Sequence, residues 1–294
     1  MLKKILITGG DGFLGKSFVE KLDGDYDITS CNRALLDLTD SVAVSAFLKD
    51  QQFDVVIHTA TYDAAPKDSP KDRNKVLENN LTMFFNLARC KADFGKMLYF
   101  GSGAEFSRDK WIPDMSESYF DKFVPTDQYG LSKYVMTQHA LTTDNIFNLR
   151  LFSVFGEYDD WRYRFISNTC CHAVMDRPIT VHQNARADFL FIDDLVSIVQ
   201  WFMDNKPKYQ TYNVCSGNTY EYVSLANIIS EIAHNKTDVA VNNIEIRKEY
   251  SGDNSRLVEE LGGFEFTPIE QALELLYNWY QNNKQIIDET KFHF

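Results

Sequence analysis

Residues 2–15 read LKKILITGGDGFLG. Ile5, Leu6 and Ile7 make an apolar run of strand length after two lysines; Gly9, Gly12 and Gly15 follow at three-residue spacing, leading into a helix-like segment, Phe13–Lys21. A strand that turns on glycines into a helix leaves backbone N–H groups unpaired and pointed at an anion. Glycine serves where the backbone needs a positive φ or must approach a pyrophosphate closely. The motif ends the first strand, where a dinucleotide-binding fold begins. The bland alternative is a glycine-rich turn without a ligand, and strand, spacing and helix together favour the phosphate cradle.

The 294 residues suffice for one large domain, or a large one with a smaller partner. The net charge is −12, from 30 basic and 42 acidic residues with no basic run, which disfavours nucleic acid and acidic membrane surfaces. Apolar stretches fall far short of the ~20 residues of a membrane span. The opening lysines and apolar run are cut short by glycine, so they read as a strand rather than a signal peptide. Cys31, Cys90, Cys170, Cys171 and Cys215 lack metal-ligand spacing, and an odd, scattered set fits reduced thiols in the cytoplasm. Cys170-Cys171 reads as helix packing. His58, His139, His172 and His182 show no metal spacing either, so no metal is expected.

Strand-like and helix-like segments alternate from there. Asp27–Cys31 reads as a strand, and Asp40–Asp50 as a helix with Asp40 as N-cap. The nearly all-apolar run Val55–Ala60 is the pattern of a strand buried on both faces. A long helix is expected over about 70–94, a strand at Met97–Phe100, a helix at Tyr129–Leu141 and a strand at Ile146–Phe152. This alternation implies an α/β fold with a doubly wound parallel sheet. Further on, strands are expected at Ile179–His182, Phe189–Ile192, Tyr212–Cys215 and Ile244–Tyr250. Helices are expected up to Met203, capped by Asp193 or Asp194, and over 223–234 and 268–283. With no linker or repeat, the second lobe should be interleaved with the first. Residues 1–155 and 186–216 then form the dinucleotide-binding domain, and 156–185 with 217–294 a smaller α/β substrate lobe.

In Tyr129-Gly-Leu-Ser-Lys133 the phenol and the ammonium share one helix face. A nearby cation favours phenolate and lowers the tyrosine pKa toward usable acid–base chemistry. The spacing alone is weak, since any amphipathic helix can yield it. Ser102 strengthens it, because it ends the strand Met97–Phe100 on the edge where doubly wound sheets bind ligands.

The quoted motifs continue with Asp37-Leu38, VIHTA (56–60), ENN (78–80), FGSG (100–103), LRLFSVFG (149–156), RADFLFIDD (186–194) and YNVCSG (212–217). In this order the chain resembles the extended short-chain dehydrogenase/reductases of the nucleotide-sugar epimerase/dehydratase/reductase group, and within it the GDP-fucose synthase-like 4-ketoreductases. The resemblance implies a Rossmann domain, a homodimer through the helices near 70–94 and 129–142, and Ser102, Tyr129 and Lys133 as the catalytic set. Tyr129 would exchange a proton with a sugar oxygen, and Lys133 would also hold the nicotinamide ribose. For the dinucleotide it implies Gly9, Gly12, Phe13, Leu14, Gly15, Asn32, Arg33, Asp37, Leu38, Thr59, Ala60, Asn80, Tyr129, Lys133 and Phe152. For a nucleotide-sugar substrate it implies Ser102, Gly103, Ala104 and Ser153, with Arg164, Arg177, Arg186 and Arg256 as candidate phosphate ligands, since a guanidinium fork pairs with phosphate.

Departures from the group narrow the chemistry. Its dehydratases place Asp-Glu directly after the catalytic hydroxyl; here Gly103-Ala104 stand there, and Glu105, one residue on, should face away. The cysteine and histidine that serve 3,5-epimerisation in GDP-fucose synthase align with Ala104 and Arg164. Hydride transfer alone remains. NAD-binding members end the second strand with an acid, whereas this chain has Cys31-Asn32-Arg33, and Arg33 with Asn32 suits a 2′-phosphate. NADP(H) is therefore favoured, with NAD(H) as the alternative. The expectation is an NADPH-dependent reductase of a nucleotide-linked 4-keto sugar made for surface polysaccharide. The alternative is a 4-epimerase or 4-dehydrogenase with tightly bound NAD.

Overall fold

The computed structural model describes residues 2–64, 69–234 and 236–292. β1 (Lys4–Thr8) is buried on both faces: Ile5 and Ile7 enter one core cluster and Leu6 the other. After the glycine turn come α1 (Phe13–Lys21), β2 (Asp27–Cys31) and α2 (Ser41–Gln51), whose N-cap Asp40 accepts from the amides of Val42 and Ala43. β3 (Val55–His58), α3 (Val76–Ala88), β4 (Lys96–Ser102), α4 (Gln128–Ala140) and β5 (Ile146–Leu151) complete the first half. Val55 and Ile57, Leu98 and Phe100 share the face of Ile5, while Val56, Met97 and Tyr99 share that of Leu6. Such two-sided strands are the sequence pattern of a sheet covered by helices on both faces.

Beyond β5 lie β6 (Ser153–Phe155), α5 (Phe165–Val174), β7 (Ile179–Val181), β8 (Arg186–Phe191), α6 (Ile192–Asp204), β9 (Thr211–Val214) and β10 (Thr219–Glu221). α7 (Tyr222–Ile232), β11 (Val239–Val241), α8 (Ser255–Glu260) and α9 (Ile269–Asn282) follow. The main sheet has the order β2-β1-β3-β4-β5-β9 with every pair parallel. The chain leaves β1 toward β2 and returns to β3 on the other side, so the strand order reverses at β1/β3. A crevice opens at that point, beyond the carboxyl ends of the strands. β8 pairs with β6 and antiparallel with β10, and β7 pairs with β11.

Three expectations are corrected. The helix expected over about 70–94 is a 3-10 turn at Arg73–Lys75 followed by thirteen-residue α3. Beyond α3, Cys90 and Lys91 bond back three residues, to Leu87 and Ala88, so the end tightens instead of extending. Neither Asp193 nor Asp194 caps α6. Both sit in its first turn, where carboxylates complement the helix dipole; Asp194 accepts from Thr267, and Asp193 pairs with Lys21 at 2.7 Å. The strand expected at Ile244–Tyr250 is irregular except for one bridge, Ala187 to Tyr250, because the ladder forms earlier, at Val239–Val241.

Candidate active site

The turn after β1 is built on its glycines. Gly9 has φ +70°, and a Cβ there would sit 2.8 Å from the Ala60 backbone. A Cβ on Gly15 would sit 2.2 Å from the Gly9 carbonyl, so α1 packs on the turn only because residue 15 is glycine. Gly12 is the N-cap of α1 and supplies no capping side chain, which leaves the first-turn amides for an anion. This cradle fits a dinucleotide pyrophosphate. Thr59 ties the end of β3 to β1 by donating to the Thr8 carbonyl at 2.6 Å.

A cleft of about 1440 Å³ runs from this turn across the strand ends. It is lined by Gly9, Gly12, Phe13, Leu14, Asn32, Arg33, Asp37, Leu38, Thr59, Ala60, Ser102, Tyr129, Lys133, Phe152, Ser153 and Arg164. At the β2 end, Arg33 pairs with Asp37 at 3.1 Å and Asn32 donates to Asp11 at 3.0 Å. Hydrogen bonds from Thr39, and then Arg33, hold the Asp37 carboxyl below the usual range.

At the β4 end, Ser102 closes the strand and Tyr129 sits in the first turn of α4, whose N-cap Asp127 accepts from the Gly130 amide at 2.8 Å. One turn on, the buried Lys133 ammonium donates to the Phe100 carbonyl at 2.8 Å and lies 5.7 Å from the Tyr129 ring centroid. Burial lowers the Lys133 pKa to about 8, against the pull of Glu105 and Asp63. The Tyr129 pKa moves up rather than down: burial raises it, Asp63 adds to that, and a hydrogen bond with Ser102 and the charges of Arg164 and Arg108 oppose. The expectation that Lys133 pulls the phenol down is corrected, because loss of solvent outweighs the neighbouring cations.

Glu105 faces away from the cleft. Its carboxylate is fully buried, accepts from the Ser102 amide and Thr137 at 2.9 Å each, and pairs with fully buried Arg150 at 2.9 Å. Arg150 in turn donates to Asn213 on β9, which ties the serine loop to the far edge of the sheet.

Several expected residues lie elsewhere. Gly15 is inside α1, and Gly103 and Ala104 are buried beyond the serine. Asn80 stands behind the cleft and clamps the loop after β3, accepting from the Tyr62 amide at 2.7 Å and donating to its carbonyl at 3.1 Å. Arg177 is bonded to Glu289, Arg186 to Glu221 and Arg256 to the Thr211 carbonyl, each outside the cleft. Of the four candidate arginines, Arg164 lines it, 4.0 Å from Asp63 and 3.9 Å from Asp159. Burial raises the Asp159 carboxyl to about 6.

The cleft also holds residues that the sequence reading passed over: Asp63, Arg108, Asp159 and Tyr250. Asp63 had a signal, as an acid in the loop directly after an apolar parallel strand. Tyr250 had none, for it arrives on the irregular segment mistaken for a strand.

Residues 5–215 match the family described as "NAD dependent epimerase/dehydratase family". GDP-6-deoxy-D-talose 4-dehydrogenase of Aggregatibacter actinomycetemcomitans is 24% identical over 291 residues, covering 93% of this chain and 97% of that one. MlghC, a GDP-mannoheptose C4 reductase from Campylobacter jejuni solved with NADP bound, shares the fold with a TM-score of 0.82 at 19% identity, over 95% of this chain and 98% of that one. So does a GDP-L-fucose synthetase from Naegleria fowleri bound to NADP, with a TM-score of 0.81 at 19% identity, over 96% and 94%. The glycine cradle at the β1/β3 crevice, with a serine, a tyrosine and a lysine gathered at its far end, is thus that of a chain belonging to the NAD-dependent epimerase/dehydratase family.

Proposed function

We propose that this chain reduces the 4-keto group of a nucleotide-diphosphate-linked sugar with NADPH. The observation that carries the reading is the gathering of Ser102, Tyr129 and Lys133 at one end of the cleft, with glycine and alanine at the two following positions, where a dehydratase carries its acids. NADPH bound along the cleft would supply the hydride. Tyr129 gives its proton to the sugar oxygen, Ser102 bonds that same oxygen, and the Lys133 ammonium holds the nicotinamide ribose. Arg164 and Arg108 bring positive charge to the mouth, suited to a diphosphate. The name of the Campylobacter protein, a C4 reductase, supports this choice, and that of the Aggregatibacter protein, a 4-dehydrogenase, supports chemistry at C4 in either direction. A homodimer through α3 and α4 is the proposed assembly.

One feature favours the alternative, a 4-epimerase or 4-dehydrogenase with retained NAD. Arg33 is engaged by Asp37, and Asp11 stands beside Asn32, so two carboxylates share the place where a 2′-phosphate would lie. Denaturing the freshly purified protein and identifying any released dinucleotide by mass spectrometry separates the readings. No retained dinucleotide, with NADPH binding more tightly than NADH, is expected of the reductase. Stoichiometric NAD would overturn it.

A further inference from the structure

Ser102 stands between two phenols. Tyr129 faces the same cleft from α4, and from the opposite lobe the Tyr250 hydroxyl lies 3.5 Å from its Oγ. That separation is long, as hydrogen bonds in catalytic sites often are before substrate closes them. Tyr250 is held firmly. Its ring stacks on Trp111 at 4.2 Å, and its amide and carbonyl bond to Arg186 and Asp188 on β8. The next residue locks to the loop after β4: Ser251 Oγ accepts from the Asp114 amide at 2.8 Å, and its carbonyl accepts from Met115. Room for the ring depends on Gly103, where a Cβ would fall 2.6 Å from Tyr250 Cε2 and 2.8 Å from its hydroxyl. The absent side chain at the dehydratase position is therefore matched by a phenol delivered from the other lobe.

A serine hydroxyl has one proton to donate and two lone pairs to accept with. The Ala104 amide fills one lone pair of Ser102 Oγ, at 3.2 Å. A buried phenol seeks an acceptor, and among the described residues the Tyr250 hydroxyl meets Ser102 Oγ. With Tyr250 as the donor in that contact, both lone pairs are filled and the serine proton is left for Tyr129 or the sugar oxygen.

We infer that Tyr250 is a positioning residue that makes Ser102 an obligate hydrogen-bond donor, toward Tyr129 or toward the substrate oxygen. The inference rests on the reading of Tyr129 as proton donor. Its consequence is electrostatic: a donating serine favours the Tyr129 phenolate that reduction leaves behind. The other groups acting on this pair are Asp63 after β3, Glu105 and Arg108 after β4, Lys133 on α4 and Arg164 before α5.

The test is a 19F NMR titration of the full-length protein labelled with 3-fluorotyrosine, with resonances assigned by Tyr129→Phe and Tyr250→Phe. In Tyr250→Phe, which keeps the ring against Trp111, Tyr129 is expected to ionise at higher pH than in the wild type. Gly103→Ala, which displaces the same ring, is expected to shift it in the same direction. In turnover, Tyr250→Phe should lower kcat about three- to tenfold with little change in KM, the scale of one net hydrogen bond. It should add nothing further in a Ser102→Ala background. An unmoved Tyr129 titration in both variants, or full additivity with Ser102→Ala, overturns the inference. If the wild type reduces no 4-keto nucleotide sugar, the functional reading fails while the NMR titration still decides the role of Tyr250.

Discussion

The Lys133 ammonium lies 5.7 Å from the centre of the Tyr129 ring and donates one of its three N–H groups to the Phe100 carbonyl, 2.8 Å away. The two residues share a helix face as their spacing requires, but the lysine is anchored to β4 beneath the tyrosine. Its position suits holding a ribose more directly than ionising a phenol.

Because burial brings the Lys133 pKa to about 8, its charge is lost within the range where binding can be measured. Dinucleotide affinity is therefore expected to fall as pH rises through about 8, as the ammonium gives up its proton. Titration calorimetry across that range checks this, with Lys133→Met as control. The variant should bind more weakly and show no such fall, and an equal slope in both proteins would remove Lys133 from cofactor binding.

Asp63 raises the Tyr129 pKa from the loop after β3. A carboxylate beside a phenol penalises the phenolate, so Asp63→Asn should lower that pKa. In the reductive direction Tyr129 must be protonated, and the alkaline fall in kcat should then begin at lower pH in the variant. A pH–rate profile reads this directly; a shift to higher pH would contradict the assignment.

Behind the site, Glu105 and Arg150 form a pair with no solvent exposure on either side chain. Removing one partner strands a buried charge and costs about 3–5 kcal/mol. Arg150→Met is expected to lower stability by that order in urea denaturation, and the double variant Arg150→Met/Glu105→Leu to recover part of it. Because Glu105 holds the Ser102 amide, the single variant should also lose kcat. Wild-type stability in Arg150→Met would mean that the pair carries no structural weight.

Much of this was legible in the sequence where local chemistry decides the outcome. The bounds of β2 and α1, and the Asp40 cap, follow from short-range pattern, and the observed elements match them. The glycine turn is likewise a local requirement, since Gly9 needs its positive φ and Gly15 its missing side chain. The arginines were not legible. Arg177, Arg186 and Arg256 find their acids at Glu289, Glu221 and Glu117, partners at sequence separations that no motif reports. Tyr250 stayed hidden for a related reason, since its segment has no period and is shaped by contacts to β8 and to the loop after β4. The direction of the Tyr129 shift also depends on burial, which spacing cannot convey.

The central claim is tested most directly by incubating the protein with a nucleotide-linked 4-keto sugar and NADPH deuterated at the transferred position. The expected result is stoichiometric NADPH oxidation with deuterium appearing at C4 of the sugar, lost in Tyr129→Phe. Tight NADPH binding without turnover on any nucleotide form, or turnover undiminished in Tyr129→Phe, would contradict it.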